Sequence, residues 1–290
     1  MQQTFHERRS PYENCWIVLT TKHHKAITIH PAFEEILSAE VVTCEADTDQ
    51  LGTFSGEVDR EGTALECVRR KCELGMGLLS AKYGLASEGS FGPHPSIPFF
   101  PCDYEILYFC DHVRGFRLHE SLLSEKTNYR TASLASIDDL DRFAEKSQFP
   151  SHALIVRPNV WRDRSVISKG IQSEVELHEA FRQCLNQSED GKIWVETDMR
   201  AHLNPSRMAV IAELAVKLGR RLATECPSCN TPGWGIVRFE KGLQCEYCNL
   251  PTELVSEEIY GCVSCSFSER LERSDGVKSA SQRYCAWCIP

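Results

Sequence analysis

Short apolar runs and amphipathic stripes alternate along most of the chain. Trp16-Ile17-Val18-Leu19-Thr20 is apolar and β-branched and breaks into Thr21-Lys22-His23-His24-Lys25, which predicts a buried strand ending in a charged loop. A helix follows Pro31, with Phe33, Ile36 and Leu37 at helical spacing, then a strand over 41–45 and a polar loop over 47–62. Residues 63–79 predict the next helix, on which Ala64, Val68, Cys72 and Leu79 are apolar. A strand over 83–87 then runs into Glu88-Gly89-Ser90-Phe91-Gly92-Pro93-His94-Pro95, whose glycines and prolines predict a loop.

From Tyr104 to Leu122 two β-like runs flank a turn at 112–115, a hairpin pattern. A helix over 136–146, a strand over 152–156, a helix over 173–185 and a strand over 192–197 continue the alternation. Asn204-Pro205 supplies an N-cap and a first-turn proline for a helix to Leu222, with Met208, Ile211, Ala215, Leu218 and Leu222 on one stripe. This order predicts a layered α/β domain with a mixed central sheet over 15–223, preceded by a flexible tail over 1–14.

Composition narrows the class. With 290 residues and 42% hydrophobic side chains the chain can bury a core, so wholesale disorder is excluded. No stretch approaches the ~18 uninterrupted apolar residues of a spanning helix, and Met-Gln-Gln-Thr-Phe-His-Glu-Arg-Arg leads into no apolar signal region. The expectation is a soluble, unprocessed, cytoplasmic protein without a membrane partner. The net charge of −9 argues against a general binder of nucleic acid.

The cysteines divide the chain. Cys15, Cys44, Cys67, Cys72, Cys102, Cys110 and Cys184 are scattered, mostly in apolar runs, where Cys behaves as a small hydrophobe. The other eight form four Cys-x-x-Cys pairs within 224–290: Cys226/Cys229, Cys245/Cys248, Cys262/Cys265 and Cys285/Cys288. Two thiolates on one tight turn can face one ion, and two such turns complete a tetrahedral four-sulfur shell. Eight sulfurs therefore predict two structural zinc ions. Pairing neighbours gives a double zinc ribbon, and spacing leaves nested or interleaved pairing open. From Glu225 onward six basic residues face nine acidic ones, so the module suits bracing or protein docking better than phosphate contacts.

Three segments place polar groups at predicted strand ends, where open α/β sheets bind ligands. Thr21, Lys22 and Lys25 offer donors to an anionic oxygen. Asp47, Asp49 and Glu57, among the glycines of their loop, offer hard oxygen ligands for a catalytic Mg²⁺. In Ala86-Ser87-Glu88-Gly89-Ser90 a carboxylate meets small residues. A further cluster, Glu196 to Arg207, joins a strand end to a helix N-terminus, where Arg200, His202 and Arg207 could meet an anion or simply cap the helix, with Asp198 pairing an arginine.

The strand-loop at Thr21-Lys22 and Lys25, then Glu66-Cys67-Val68-Arg69-Arg70-Lys71-Cys72, then Ala86-Ser87-Glu88-Gly89 resemble motifs of the inosine triphosphate pyrophosphatase superfamily. The loop lacks that superfamily's asparagine and is one residue short. The resemblance covers about 16–160 and implies cleavage of a nucleoside triphosphate, with Lys22, Lys25 and Lys71 on phosphate oxygens and Glu88 with Asp47, Asp49 or Glu57 on the metal. Across nearly its whole length the chain is also similar to an uncharacterised bacterial family with Gly-Thr-Phe-Ser-Gly-Glu, Ala-Ser-Glu-Gly-Ser-Phe-Gly-Pro-His-Pro and terminal Cys pairs, which implies no activity. The sequence therefore points to a Mg²⁺-dependent hydrolase of a nucleotide or other phosphorylated small molecule. The alternative is a non-catalytic nucleotide sensor or adaptor whose zinc module docks a protein.

Overall fold

The computed structural model describes residues 10–22, 24–46, 62–160 and 166–288. A five-stranded sheet in the order β2-β1-β3-β4-β5 is formed by β1 (Trp16–Thr20), β2 (Glu40–Cys44), β3 (Tyr83–Pro93), β4 (Pro101–Asp111) and β5 (Phe116–Ser124). β1 runs parallel to β2 and β3, whereas β3, β4 and β5 form an antiparallel meander. Alternation along each strand sends Ile17, Leu19, Leu85, Leu107 and Phe109 to one face and Val18, Ala86, Ile106, Tyr108 and Cys110 to the other. The first face packs against α1 (Ala26–Leu37) and α5 (Pro205–Ala223), the second against α2 (Ala64–Leu79).

The strand pattern of the middle of the chain forms a second, wholly antiparallel sheet rather than extending the first. Its order is β6-β9-β7-β8, with β6 (Thr131–Leu134), β7 (Leu154–Pro158), β8 (Ser168–Ile171) and β9 (Ile193–Thr197). α3 (Ile137–Lys146) and α4 (Glu174–Asn186) cover it, and Leu140, Phe143, Leu154, Val156, Phe181 and Val195 make its own core. Thus the α/β class is met with one mixed and one antiparallel sheet.

Local chemistry explains most element ends. Thr63 and Glu66 form a capping box on α2, and Ser136, Ser173 and Asn204 each accept a first-turn N–H of α3, α4 and α5. Two boundaries depart from the sequence pattern. α1 begins at Ala26, with Pro31 inside it, because Ile29 as well as Phe33 is drawn into the core. β3 continues through the glycines to Pro93, paired with β4 along its whole length, so the predicted loop over 88–95 is mostly strand. Glycine is required there: a Cβ on Gly89 would lie 2.4 Å from Glu105 Oε1. Residues 10–14 are also drawn in, since Tyr12 is fully buried and donates its hydroxyl to Asp111 Oδ2 at 3.1 Å. Of the expected tail, residues 1–9 lie outside the described residues.

The cysteine-rich segment carries a three-stranded antiparallel sheet of β10 (Gly235–Lys241), β11 (Val255–Gly261) and β12 (Ser268–Glu272). It is tied to the first sheet through Arg221, which donates to Gly233 O at 3.1 Å and to Glu120 Oε1 at 2.5 Å. No described helix is long and apolar enough to cross a membrane.

Candidate functional site

The strand order reverses at β1, and the helices that follow β1 and β2 lie on opposite faces of the sheet. Such a switch point opens a crevice at the carboxyl ends of the parallel strands, the general ligand position of open α/β sheets. At that place stand Thr20–Lys25 after β1 and Ser87–Gly89 on β3, with β4, α2 and α5 packed around them.

Into this place the fold brings an unusual number of buried charges. On the α2 side, Lys71 Nζ lies 2.5 Å from Glu88 Oε2. On the α1/α5 side, Arg207 and Glu105 are both fully buried, with Nε 2.6 Å from Oε1. Arg207 also donates to the carbonyl of Met199 and lies over the Phe91 ring at 5.0 Å. Buried Lys25 donates to Ser87 Oγ at 2.8 Å. Asp103, two residues from Glu105 on the same face of β4, is fully buried, and neither of its oxygens has a hydrogen-bond partner; Glu105 Oε2 is in the same state.

These surroundings move two titrations strongly. Burial, reinforced by the Arg207 charge, lowers the Lys25 ammonium from 10.5 to about 7. Burial and the neighbouring Glu105 raise Asp103 from 3.8 to about 8, so it holds a proton at neutral pH. Three cations and three acids balance formally, and a protonated Asp103 beside an uncharged Lys25 keeps that balance.

The structure joins three of the four segments that the sequence marks. Lys25, Ser87, Glu88, Lys71 and Arg207 converge, and His202 reaches the loop after β1, its ring 5.6 Å from that of His24. Thr21 is buried, its hydroxyl donating to Lys22 O at 2.7 Å. Arg200 stands apart from Arg207: it grips buried Asp198 with Nε and Nη2, the shorter contact being 2.6 Å, and so realises the capping alternative. Asp47, Asp49 and Glu57 lie outside the described residues. Asp103 and Glu105 were missed from the sequence. The signal was there: both fall at alternate positions in phase with Leu107 and Phe109, which puts two acids on a core-facing row.

The eight tail cysteines form two four-sulfur groups, Cys226/Cys229/Cys262/Cys265 and Cys245/Cys248/Cys285/Cys288, each with all sulfurs within 4.8 Å of one another. Pairing is therefore interleaved, first turn with third and second with fourth, rather than the tandem ribbons of neighbouring turns. Sulfur separations of 3.5 and 3.9 Å in each group match the ~3.8 Å edge of a tetrahedron with Zn–S bonds of ~2.3 Å, far from the ~2.05 Å of a disulfide. The donor set fits zinc, and four thiolates leave no open position.

Residues 71–290 match DUF6671, a domain of unknown function. The chain belongs to the DUF6671 family. The match takes in Lys71, Glu88, Asp103, Glu105, Arg207 and all eight tail cysteines, but not Lys25. No curated protein matches the sequence.

Proposed function

We propose that this DUF6671 protein hydrolyses a nucleotide or other phosphate ester in the crevice at the ends of β1 and β3, and that its two zinc ions are structural. One observation carries the reading: Lys25, Lys71 and Arg207 are gathered with Glu88, Asp103 and Glu105 at the switch point of an open sheet. A phosphate brings negative oxygens that such cations receive, and phosphoryl transfer needs little beyond charge neutralisation and positioning. Lys25 approaches from the loop after β1, Lys71 from α2 and Arg207 from α5. Glu88 and Glu105 hold the ends of Lys71 and Arg207 in place before substrate arrives.

Asp103 is the acid with capacity to spare: both its oxygens lack a donor, and a cation would take the place of the proton that burial and Glu105 keep on it. It therefore fits a hard cation, and Asp47, Asp49 and Glu57 would have to complete the ligand set. When bound, Mg²⁺ supplies neutralisation of phosphate charge. The likeness to the pyrophosphatase superfamily adds nucleoside triphosphates to the candidate substrates.

A hydrolysis screen over nucleotides and phosphoesters, with and without Mg²⁺, tests the reading. Turnover that falls by ~100-fold or more in Glu88→Gln supports it, because Lys71 then loses the partner that aims it. Nucleotide binding with no turnover of any phosphoester would make the protein a sensor.

A further inference from the structure

Within the crevice, Lys25 and Ser87 form a contact that phosphate binding alone does not explain. Lys25 is buried at the start of α1, and its Nζ makes one hydrogen bond, to Ser87 Oγ at 2.8 Å. Among the described residues no carboxylate lies within ion-pair distance of that nitrogen. A buried ammonium normally has one, because desolvation of an unpaired charge is costly. An uncharged amine meets no such objection: its lone pair accepts the Ser87 O–H, and the hydroxyl is then a nucleophile held by its own base.

The surroundings favour that state. Arg207 from α5 and Lys71 from α2 both repel a proton on Lys25, while Glu105 on β4 and Glu88 on β3 attract one; burial is the largest influence and acts with the two cations. The two acids are themselves engaged, Glu105 by Arg207 at 2.6 Å and Glu88 by Lys71 at 2.5 Å. Ser87 sits just beyond Ala86, the last residue of β3 that pairs with β1, so it stands where β1 no longer covers that edge of β3.

We propose that Ser87 is a nucleophile and Lys25 its general base, so that hydrolysis at this site passes through a phosphoryl-Ser87 intermediate. The proposal rests on the phosphate-ester reading and names the groups that react. Ser87 Oγ bonds to phosphorus as its proton moves to Lys25 Nζ and the bond from phosphorus to the leaving oxygen breaks. The leaving oxygen takes the proton from Lys25. Water then attacks phosphorus, giving one proton to Lys25, and the Oγ–phosphorus bond breaks; Ser87 Oγ recovers that proton, releasing phosphate and restoring the pair. Lys25 is thus neutral before attack and cationic beside the phosphoryl oxygens during it, when their charge is greatest.

The test is phosphorylation of the full, zinc-loaded chain with diisopropyl fluorophosphate, read by peptide mass mapping. One diisopropylphosphoryl group on Ser87 is expected, entering at a rate that rises with pH through an inflection near 7. Lys25→Met should slow it ~100-fold or more, the usual size of a general-base contribution, and Ser87→Ala should abolish it. Absence of label on Ser87 overturns the proposal, as does an unchanged rate in Lys25→Met that retains its zinc and its melting temperature. If Lys25→Met does not fold, the wild-type profile decides: a rate without an inflection near neutral pH overturns it. Phosphoester turnover that survives Ser87→Ala defeats the Ser87 mechanism alone and leaves the hydrolase standing. Labelling of Ser87 without turnover of any phosphoester supports the pair and defeats the phosphate-ester reading.

Discussion

The crevice and the cysteine module both concentrate groups that a protein interior tolerates poorly, but they resolve the problem in opposite ways. In the module every ligand sulfur has three like partners within 4.8 Å, and one tetrahedral ion would satisfy all four. Nothing is left over, so nothing remains to bind a substrate. In the crevice six ionisable side chains meet, yet Asp103 and one oxygen of Glu105 have no donor, and Lys25 answers a hydroxyl instead of an acid. Saturation suits a structural role, whereas a standing deficit of partners is what the proposed phosphate chemistry would use.

Removal of zinc should have the largest effect. The order of the turns along the chain is first site, second site, first site, second site, so neither site closes unless the segment carrying part of the other is also placed. Structural zinc contributes on the order of 10–16 kcal/mol in small metal-dependent domains. Chelation, or Cys226→Ser alone, should therefore release both ions and unfold 224–290, while hydrogen exchange stays slow in β3 and β4. Metal analysis beside exchange mass spectrometry checks this. Tandem ribbons would instead let Cys226→Ser keep the ion at Cys285 and Cys288.

Next in size is the fully buried Arg207–Glu105 pair. Arg207→Met leaves a buried carboxylate without its cation and should cost about 3–5 kcal/mol, the usual range for breaking such a pair. Adding Glu105→Gln removes the stranded charge, so the double variant should recover much of the loss in denaturant unfolding. Two additive losses would mean that the pair acts only through packing.

A smaller loss is expected at Lys71–Glu88, which is closer to solvent. Glu88 viewed as an isolated acid at a strand end suggests that its removal is neutral or stabilising. Lys71 at 2.5 Å reverses that sign: Glu88→Gln should destabilise by about 1–3 kcal/mol, measured by urea unfolding, because an ammonium loses its acceptor.

Sequence and structure agree where periodicity and capping act within one element. The stripe from Met208 to Leu222, the Thr63 capping box and the Cys-x-x-Cys turns are local signals, and each appears where the pattern places it. What the pattern does not carry is partnership across the chain. Gly89 and Pro93 discourage strand only while β4 is ignored, and once β4 pairs with them the missing Cβ of Gly89 becomes the reason Arg207 and Glu105 fit. Likewise, Arg200 and Arg207 are seven residues apart and equivalent on paper. One caps Asp198 at the surface side of a turn; the other crosses from α5 to β4 and closes the charge cluster.

The most selective effect, because it depends on pH, belongs to Asp103. Its proton is held to about pH 8 in the folded chain, against an ordinary value of 3.8. Between those values the unfolded chain has lost a proton that the native state keeps, so this group makes stability fall as pH rises. Lys25 acts in the other direction: lowered from 10.5 to about 7, it makes stability rise with pH above 7, where the unfolded chain keeps the proton. Asn resembles the protonated acid in shape, so Asp103→Asn should match wild type only near pH 4 and below, where the folded and unfolded chains both keep the Asp103 proton. Toward pH 8 it should become the more stable protein, because the fall is removed and the Lys25 rise remains. Melting temperatures of the two proteins across that range should diverge steadily. Parallel curves would place Asp103 as an ionised acid with a donor of its own, and the crevice would then be as saturated as the zinc module.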